Sequence, residues 1–293
     1  MILTASAATP LGRASKLPHN LFRGRTLVIA TMHQKEKVIG NYLQEKLGVV
    51  PSLPLGINTD AFGTFTREVK RKETALATAR LKCLKALEIT GASLAVASEG
   101  SFGMHPNLPW VPANEEWVLL MDTKNKLEIF GYALSLETNL HSEEFSTWPG
   151  LKNFAEKAGF PEHGIILSAG NTYLKNIKPE WPNLQQAFEG LIRSNKVVLA
   201  ETDMRAMRNP SRQKVILQAT KAMVKKAFST CPACKTPGYG TVATKPGLPC
   251  RQCHGPTNSV MYHVKGCSQC GRQTQKRVGQ KLEDPTYCNF CNP

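Results

Sequence analysis

Residues 94–103 read LAVASEGSFG. Four small or apolar residues, Leu94 to Ala97, run directly into Ser98-Glu99-Gly100-Ser101. This is the pattern of a buried parallel strand whose carboxyl end opens into a glycine-bearing loop. In open α/β sheets ligands sit outside those carboxyl ends, so Glu99 stands where chemistry is usually done. A carboxylate there serves to hold a divalent metal or to act as a base. The plainer alternative is a capped strand end with a solvated glutamate.

Upstream, residues 22–31 contain the apolar run TLVIA, a first strand, and apolar residues at helical spacing follow from Gln34 to Leu47 before Gly48 stops the helix. The connecting loop, Thr31 to Lys37, offers a hydroxyl, helix-start amides and two lysines, parts that suit a phosphate. Residues 58–72 mix both charges around Phe62 and Phe65 and are expected to form a substrate lid or an ordinary solvated loop. Residues 73–90 are rich in helix formers, with Ala77, Leu81, Leu84 and Leu87 at core-facing spacing and Gly91 as the stop.

Downstream, a proline-rich connection over 104–112 leads to a strand at Glu116–Met121, a turn at Asp122–Lys126 and a returning strand at Leu127–Tyr132. A helix is expected at 147–158. Strands are expected at Gly164–Ala169 and Lys196–Ala200, with a helix over 184–193 between them. The second strand runs into Glu201, Asp203 and Arg205, then Arg208-Asn209-Pro210-Ser211-Arg212 opens a helix to about residue 228. Two acids and three arginines thus gather at a strand end and a helix start. They suit a metal-bound polyphosphate, or else a salt-bridge cluster that locks the last helix to the sheet.

The composition is that of a globular protein, with 41% hydrophobic and 20% charged residues in 293. No apolar run is long enough to cross a membrane, and the first 21 residues lack the apolar block of a secretion signal. A flexible extension over 1–21, an α/β domain over 22–228, a small module over 229–293 and a cytoplasmic location are the expectations. The charge is uneven: residues 221–293 carry eleven lysines and arginines against two acids. Such an excess points toward nucleic acid.

Eight of the nine cysteines lie in the last module, as Cys231/Cys234, Cys250/Cys253, Cys267/Cys270 and Cys288/Cys291. Two-residue spacing lets both sulfurs bind one tetrahedral ion, which implies two structural zinc ions in a double zinc ribbon. With two tetrathiolate sites the tail falls to about +5, a modest surplus. Sequential pairing of knuckles fits the 15- and 17-residue gaps, and a cross-braced pairing of alternate knuckles stays open.

Over Thr26–Pro293 the chain resembles a mostly bacterial family known as a domain of unknown function. The resemblance is carried by residues 62–68 (FGTFTRE), 97–103 (ASEGSFG), 201–206 (ETDMRA), 209–212 (NPSR) and the four knuckles. More distantly, Leu27–Gly103 is similar to the inosine-triphosphate pyrophosphatase superfamily, which hydrolyses non-standard purine nucleotides with Mg2+. In that superfamily a Ser/Thr-x-Asn-x-x-Lys motif follows the first strand. Here Thr31 and His33 follow it, with Lys37 one position late. Ala79 and Lys82 match part of the next helix motif, Glu99 stands at the metal-binding acid, and Ser211-Arg212 matches part of a later Ser-His-Arg.

The resemblance implies a mixed central sheet flanked by helices. It also implies a Mg-dependent nucleotide hydrolase in which Glu99 holds the metal or activates water, helped by Asp203 and Glu201. Thr31, Lys37, Lys82, Arg205 and Arg212 would bind phosphate. The alternative is a non-catalytic protein whose zinc ribbon docks nucleic acid or a protein partner.

Overall fold

The computed structural model describes residues 21–31, 34–54, 74–105 and 108–293. The expected lid at 58–72 and nearly all of the expected N-terminal extension lie outside them. The first sheet holds β1 (Thr26–Ile29), β2 (Val50–Ser52), β3 (Leu94–His105), β4 (Leu108–Asp122) and β5 (Leu127–Ser135) in the order β2-β1-β3-β4-β5. Strand β1 pairs in parallel with both β2 and β3, and the β3-β4-β5 part is antiparallel. The sheet is therefore mixed, as expected.

Helix α1 (Lys35–Leu47) joins β1 to β2, and α2 (Ala75–Thr90) joins β2 to β3. Because β2 and β3 flank β1 on opposite sides, two right-handed crossovers must lie on opposite faces of the sheet. They do. Ile39 and Leu43 of α1 pack on Leu94, Val96, Val118 and Leu120, whereas Ala79, Cys83 and Ala86 of α2 pack on Ala95, Ala97, Leu119 and Met121. The face of α2 differs from the leucine stripe read in the sequence: Leu81 and Leu84 are 43% and 47% exposed. The strands beneath present alanines, so the helix lies close with its own small residues inward.

Strand β3 does not end at Ala97. It continues through Gly100 and Gly103 to His105, paired throughout with β4, and the described part of the expected proline-rich connection, 104–105 and 108–112, belongs to these two strands. Asp122 anchors the other end of the hairpin, accepting from Arg25 at 2.6 and 2.8 Å and capping the turn at Asn125.

The expected strands at 164–169 and 196–200 do not join this sheet. They form β7 (Ile165–Ala169) and β9 (Val198–Thr202) of a second, antiparallel sheet in the order β6-β9-β7-β8, with β6 (Ser142–Phe145) and β8 (Thr172–Leu174). Helices α3 (Trp148–Lys157) and α4 (Trp181–Ile192) cover it, with Leu151, Leu167, Leu184, Phe188 and Val198 in its core. Helix α5 (Pro210–Ala227) returns to the first sheet beside α1, packing Ile216, Ala219 and Met223 into the core there. It lies so close to β5 that a Cβ at Gly131 would collide with its backbone.

The last module is one antiparallel sheet of β10 (Gly240–Pro246), β11 (Val260–Gly266) and β12 (Gln273–Arg277). Among the described residues no helix is long and apolar enough to cross a membrane.

Candidate functional site

Strand β1 pairs with β3 only as far as Val96, where the Ala30 N–H donates to the Val96 carbonyl at 2.8 Å. Beyond that point no other strand among the described residues pairs with β3 on this side, and Ser98 and the residues after it border a crevice outside the carboxyl end of β1. In a sheet of this order that is the topological switch point. Buried charge fills it. Gln34 stands in the left-handed region at φ 60, and Lys35, the first residue of α1, is buried. Its Nζ donates to the Ser98 hydroxyl at 3.0 Å and to the Ser98 carbonyl at 3.4 Å. Burial and then the positive charge of Arg212 pull the Lys35 pKa down to about 8, against the opposing pull of Glu116 and Glu99.

The pleat sets neighbouring residues of β3 on opposite faces. Glu99 points to the α2 side and forms an ion pair with Lys82; both side chains are buried. Gly100 and Phe102 point to the α1/α5 side. There Arg212 Nε donates to Glu116 Oε1 at 2.6 Å, and Phe102 stacks 5.5 Å from the guanidinium. The Glu116 carboxylate lies flat on Gly100, where any Cβ would collide with it. Glu116 Oε2 and Asn114 Oδ1 are buried acceptors without a hydrogen-bond partner among the described residues. Two buried ion pairs, Lys82–Glu99 and Arg212–Glu116, thus stand on opposite faces of the sheet, and Lys35 lies within electrostatic reach of both.

The sequence-predicted residues divide accordingly. Glu99 and Lys82 meet on one face; Arg212 sits on the other, with Lys35 between. Asp203 lies on the Arg212 side, since Arg212 Nη1 donates to the carbonyl of the next residue, Met204, at 2.7 Å. It is held by Arg205, whose guanidinium grips both carboxylate oxygens at 2.6–3.2 Å. Glu201 belongs to the second sheet, 3.4 Å from the Tyr173 hydroxyl, beside a cavity of about 260 Å3 that also takes in Asp203 and Arg205. Asp203 and Glu201 are therefore not brought to Glu99. Thr31 is half-buried at the end of β1. Lys37 is exposed, its Nζ 3.1 Å from Gln34 Oε1. The lysine that enters the crevice is Lys35, two positions earlier and on another side of α1. Sequence reasoning counted Lys35 as one of the two lysines of the loop but singled out Lys37, and it missed Glu116. The available signal for Glu116 was its place in alternation with Asn114, Val118 and Leu120, all buried on one face of β4.

The cysteines form two tetrads, Cys231/Cys234/Cys267/Cys270 and Cys250/Cys253/Cys288/Cys291, with the four sulfurs of each within 4.8 Å of one another. The closest sulfur pairs lie at 3.5–3.9 Å. That is far beyond disulfide length and close to the ~3.8 Å edge of a tetrahedron with 2.3 Å Zn–S bonds. Each tetrad therefore fits one zinc ion.

The pairing joins alternate knuckles, not the sequential ones favoured by the gap lengths. Each gap holds one strand that crosses the module once, not a hairpin that returns to its start, so successive knuckles fall at opposite ends of the sheet. At all four knuckles the first cysteine's carbonyl accepts from the N–H four residues on, and at three of them that residue, Lys235, His254 or Gly271, takes a left-handed backbone angle. His254 thus shapes a knuckle turn and is not a ligand.

Comparison with solved structures finds the crystal structure of protein VC0702 from Vibrio cholerae, aligned over 69% of this chain and 94% of its own at 10% identity and a TM-score of 0.30. No curated protein matches the chain significantly. A family model, domain of unknown function DUF6671, matches residues 82–293. That span takes in Lys82, Glu99, Glu116, Arg212 and both cysteine tetrads, and the chain belongs to this family.

Proposed function

We propose that the α/β region binds a nucleotide or a related phosphate ester at the carboxyl ends of β1 and β3 and hydrolyses it, while the zinc module is a structural appendage. The observation that supports this reading is the position of Lys35, buried at a helix start at the switch point and hydrogen-bonded to Ser98. With Lys82 it supplies positive charge where a phosphate group is held by α/β sheets of this order. The sequence resemblance of Leu27–Gly103 to the inosine-triphosphate pyrophosphatase superfamily supports the same reading.

In this reading an arriving phosphate draws Lys82 away from Glu99. The freed carboxylate takes a proton from water as the water oxygen bonds to phosphorus and the bond to the leaving phosphate breaks. Lys35 and Lys82 offset the charge that develops on the phosphoryl oxygens, whereas Arg212, held by Glu116 on the other face, is left out with Asp203. Mg2+ carried with the nucleotide would add charge neutralisation at the leaving group. Asp203 and Glu201 are left out of the reacting groups, because they stand on the far side of the sheet and in the second sheet.

The test is a thermal-shift series with standard and non-standard purine triphosphates, with and without Mg2+. A ligand at a hundred times its Kd stabilises the native state by about 2.7 kcal/mol. Lys35→Met should abolish the shift, and Glu99→Gln should keep it while removing hydrolysis. A parent protein that no triphosphate stabilises, or a Lys35→Met protein stabilised as well as the parent, overturns the reading.

A further inference from the structure

Positive charge and aromatic surface gather where the zinc-binding module meets β5, the edge strand of the first sheet. Two grooves open there. One, of about 940 Å3, has Trp117, Phe130 and Tyr132 of β4 and β5 on one wall, with Lys225 and Lys226 of α5 and strand β10 on the others. The second, of about 400 Å3, lies on the three-stranded sheet among His263, Lys265, Lys276 and Arg277. Thr241 and Lys265 line both, so the two form one continuous track, and among the described residues no acidic side chain lines either.

The register explains the stripe of charge. His263 pairs with Lys276, and Lys265 stands two residues from His263, so all three side chains share one face of the sheet. At the other end, Trp117 and Tyr132 lie 4.6 Å apart at 47° and Phe130 is 5.7 Å from Trp117. Lys226 Nζ sits 3.6 Å over the Phe130 ring. The zinc module itself is poor in aromatics; the fold lends it those of β4 and β5.

We propose that this track binds single-stranded nucleic acid, with bases stacked against Trp117 and Tyr132 and the phosphates carried across Lys225, Lys265 and Lys276. An unpaired base offers a ring face for the aromatic wall, and the backbone beside it offers the anions for the lysines. A duplex buries its base faces, and an acidic peptide leaves the aromatic wall unused. Trp117 stands opposite Glu99 in the β3–β4 register, so the aromatic end of the track adjoins the proposed phosphate site; its cationic end, at Lys265 and Lys276 on the three-stranded sheet, does not, and variants there test this binding independently of hydrolysis.

The experiment is fluorescence anisotropy of the full-length, zinc-loaded protein with a short fluorescein-labelled oligouridine over a range of salt concentrations. Binding should weaken steeply with salt. Lys265→Glu combined with Lys276→Glu should weaken it at least tenfold and reduce the salt slope by about 1.4, two phosphates' worth for a single strand. Tyr132→Ala should cost about tenfold with a smaller change in slope. Oligouridine should also quench the parent's tryptophan fluorescence, which tests stacking without any variant. Equal or tighter binding to a duplex of the same length, no quenching, or a double-charge variant that binds like the parent overturns the proposal.

Discussion

Arg212 Nε lies 2.6 Å from Glu116 Oε1, and neither side chain has any exposure to solvent. The pair ties the first turn of α5 to the middle of β4, across 96 residues of sequence. Breaking such a pair from one side strands a buried charge and costs about 3–5 kcal/mol, whereas replacing both partners by apolar residues is often neutral. Arg212→Met is therefore expected to lower the unfolding free energy by that amount. Arg212→Met with Glu116→Leu should recover most of it, measured by urea denaturation. Additive losses in the double variant would mean that the two groups act separately.

Gly100 is required by the same carboxylate. A Cβ there collides with Glu116, and the obstacle is a group pinned by Arg212, not a free side-chain end. Gly100→Ala should cost about 1–3 kcal/mol from overpacking. The loss should vanish in a Glu116→Ala background, which identifies the carboxylate as the obstacle. An equal cost in both backgrounds would place the strain in the strand itself.

Lys35 predicts an unusual pH dependence. Its pKa falls from 10.5 to about 8 on folding, chiefly through burial. Between those values the unfolded chain holds a proton that the folded chain lacks, so this group's contribution to stability rises with pH. Below about pH 8 both states are protonated, and the full penalty, on the order of 3 kcal/mol, applies. Lys35→Met should thus be more stable than the parent at pH 7 and lose that advantage as the pH approaches 10. Denaturant melts at the two pH values give the measurement; a pH-independent difference would count against the burial of this charge.

The cross-braced tetrads make a prediction about zinc content. Cys231→Ser with Cys270→Ser removes two ligands of one tetrad and should leave one zinc ion per chain, read by native mass spectrometry. Cys231→Ser with Cys250→Ser damages both tetrads and should leave none at sub-stoichiometric free zinc. Sequential pairing would reverse the two results.

The sequence by itself determined the order of the longer strands and helices, but not the short strands β2, β6 and β8. Hydrophobic runs, Gly48 and Gly91 as helix stops, and the turn after Asp122 are local signals that survive folding. It also determined the number of cysteine knuckles, because two-residue spacing is itself a local geometry. What the tertiary structure decided was everything that depends on a face or a partner. Residues 98–103 read as a loop, so the alternation that sets Glu99 against Lys82 and Gly100 against Glu116 had no strand to apply to. Lys35 and Lys37 look alike in a helix start, yet a two-residue step turns one into the crevice and the other into water. Alanines on β3 drew the small face of α2 inward over its leucines, and a single strand in each gap sent successive knuckles to opposite ends of one sheet. Such choices are made by packing and by desolvated charge, which act between residues far apart in the chain and leave no mark on either segment alone.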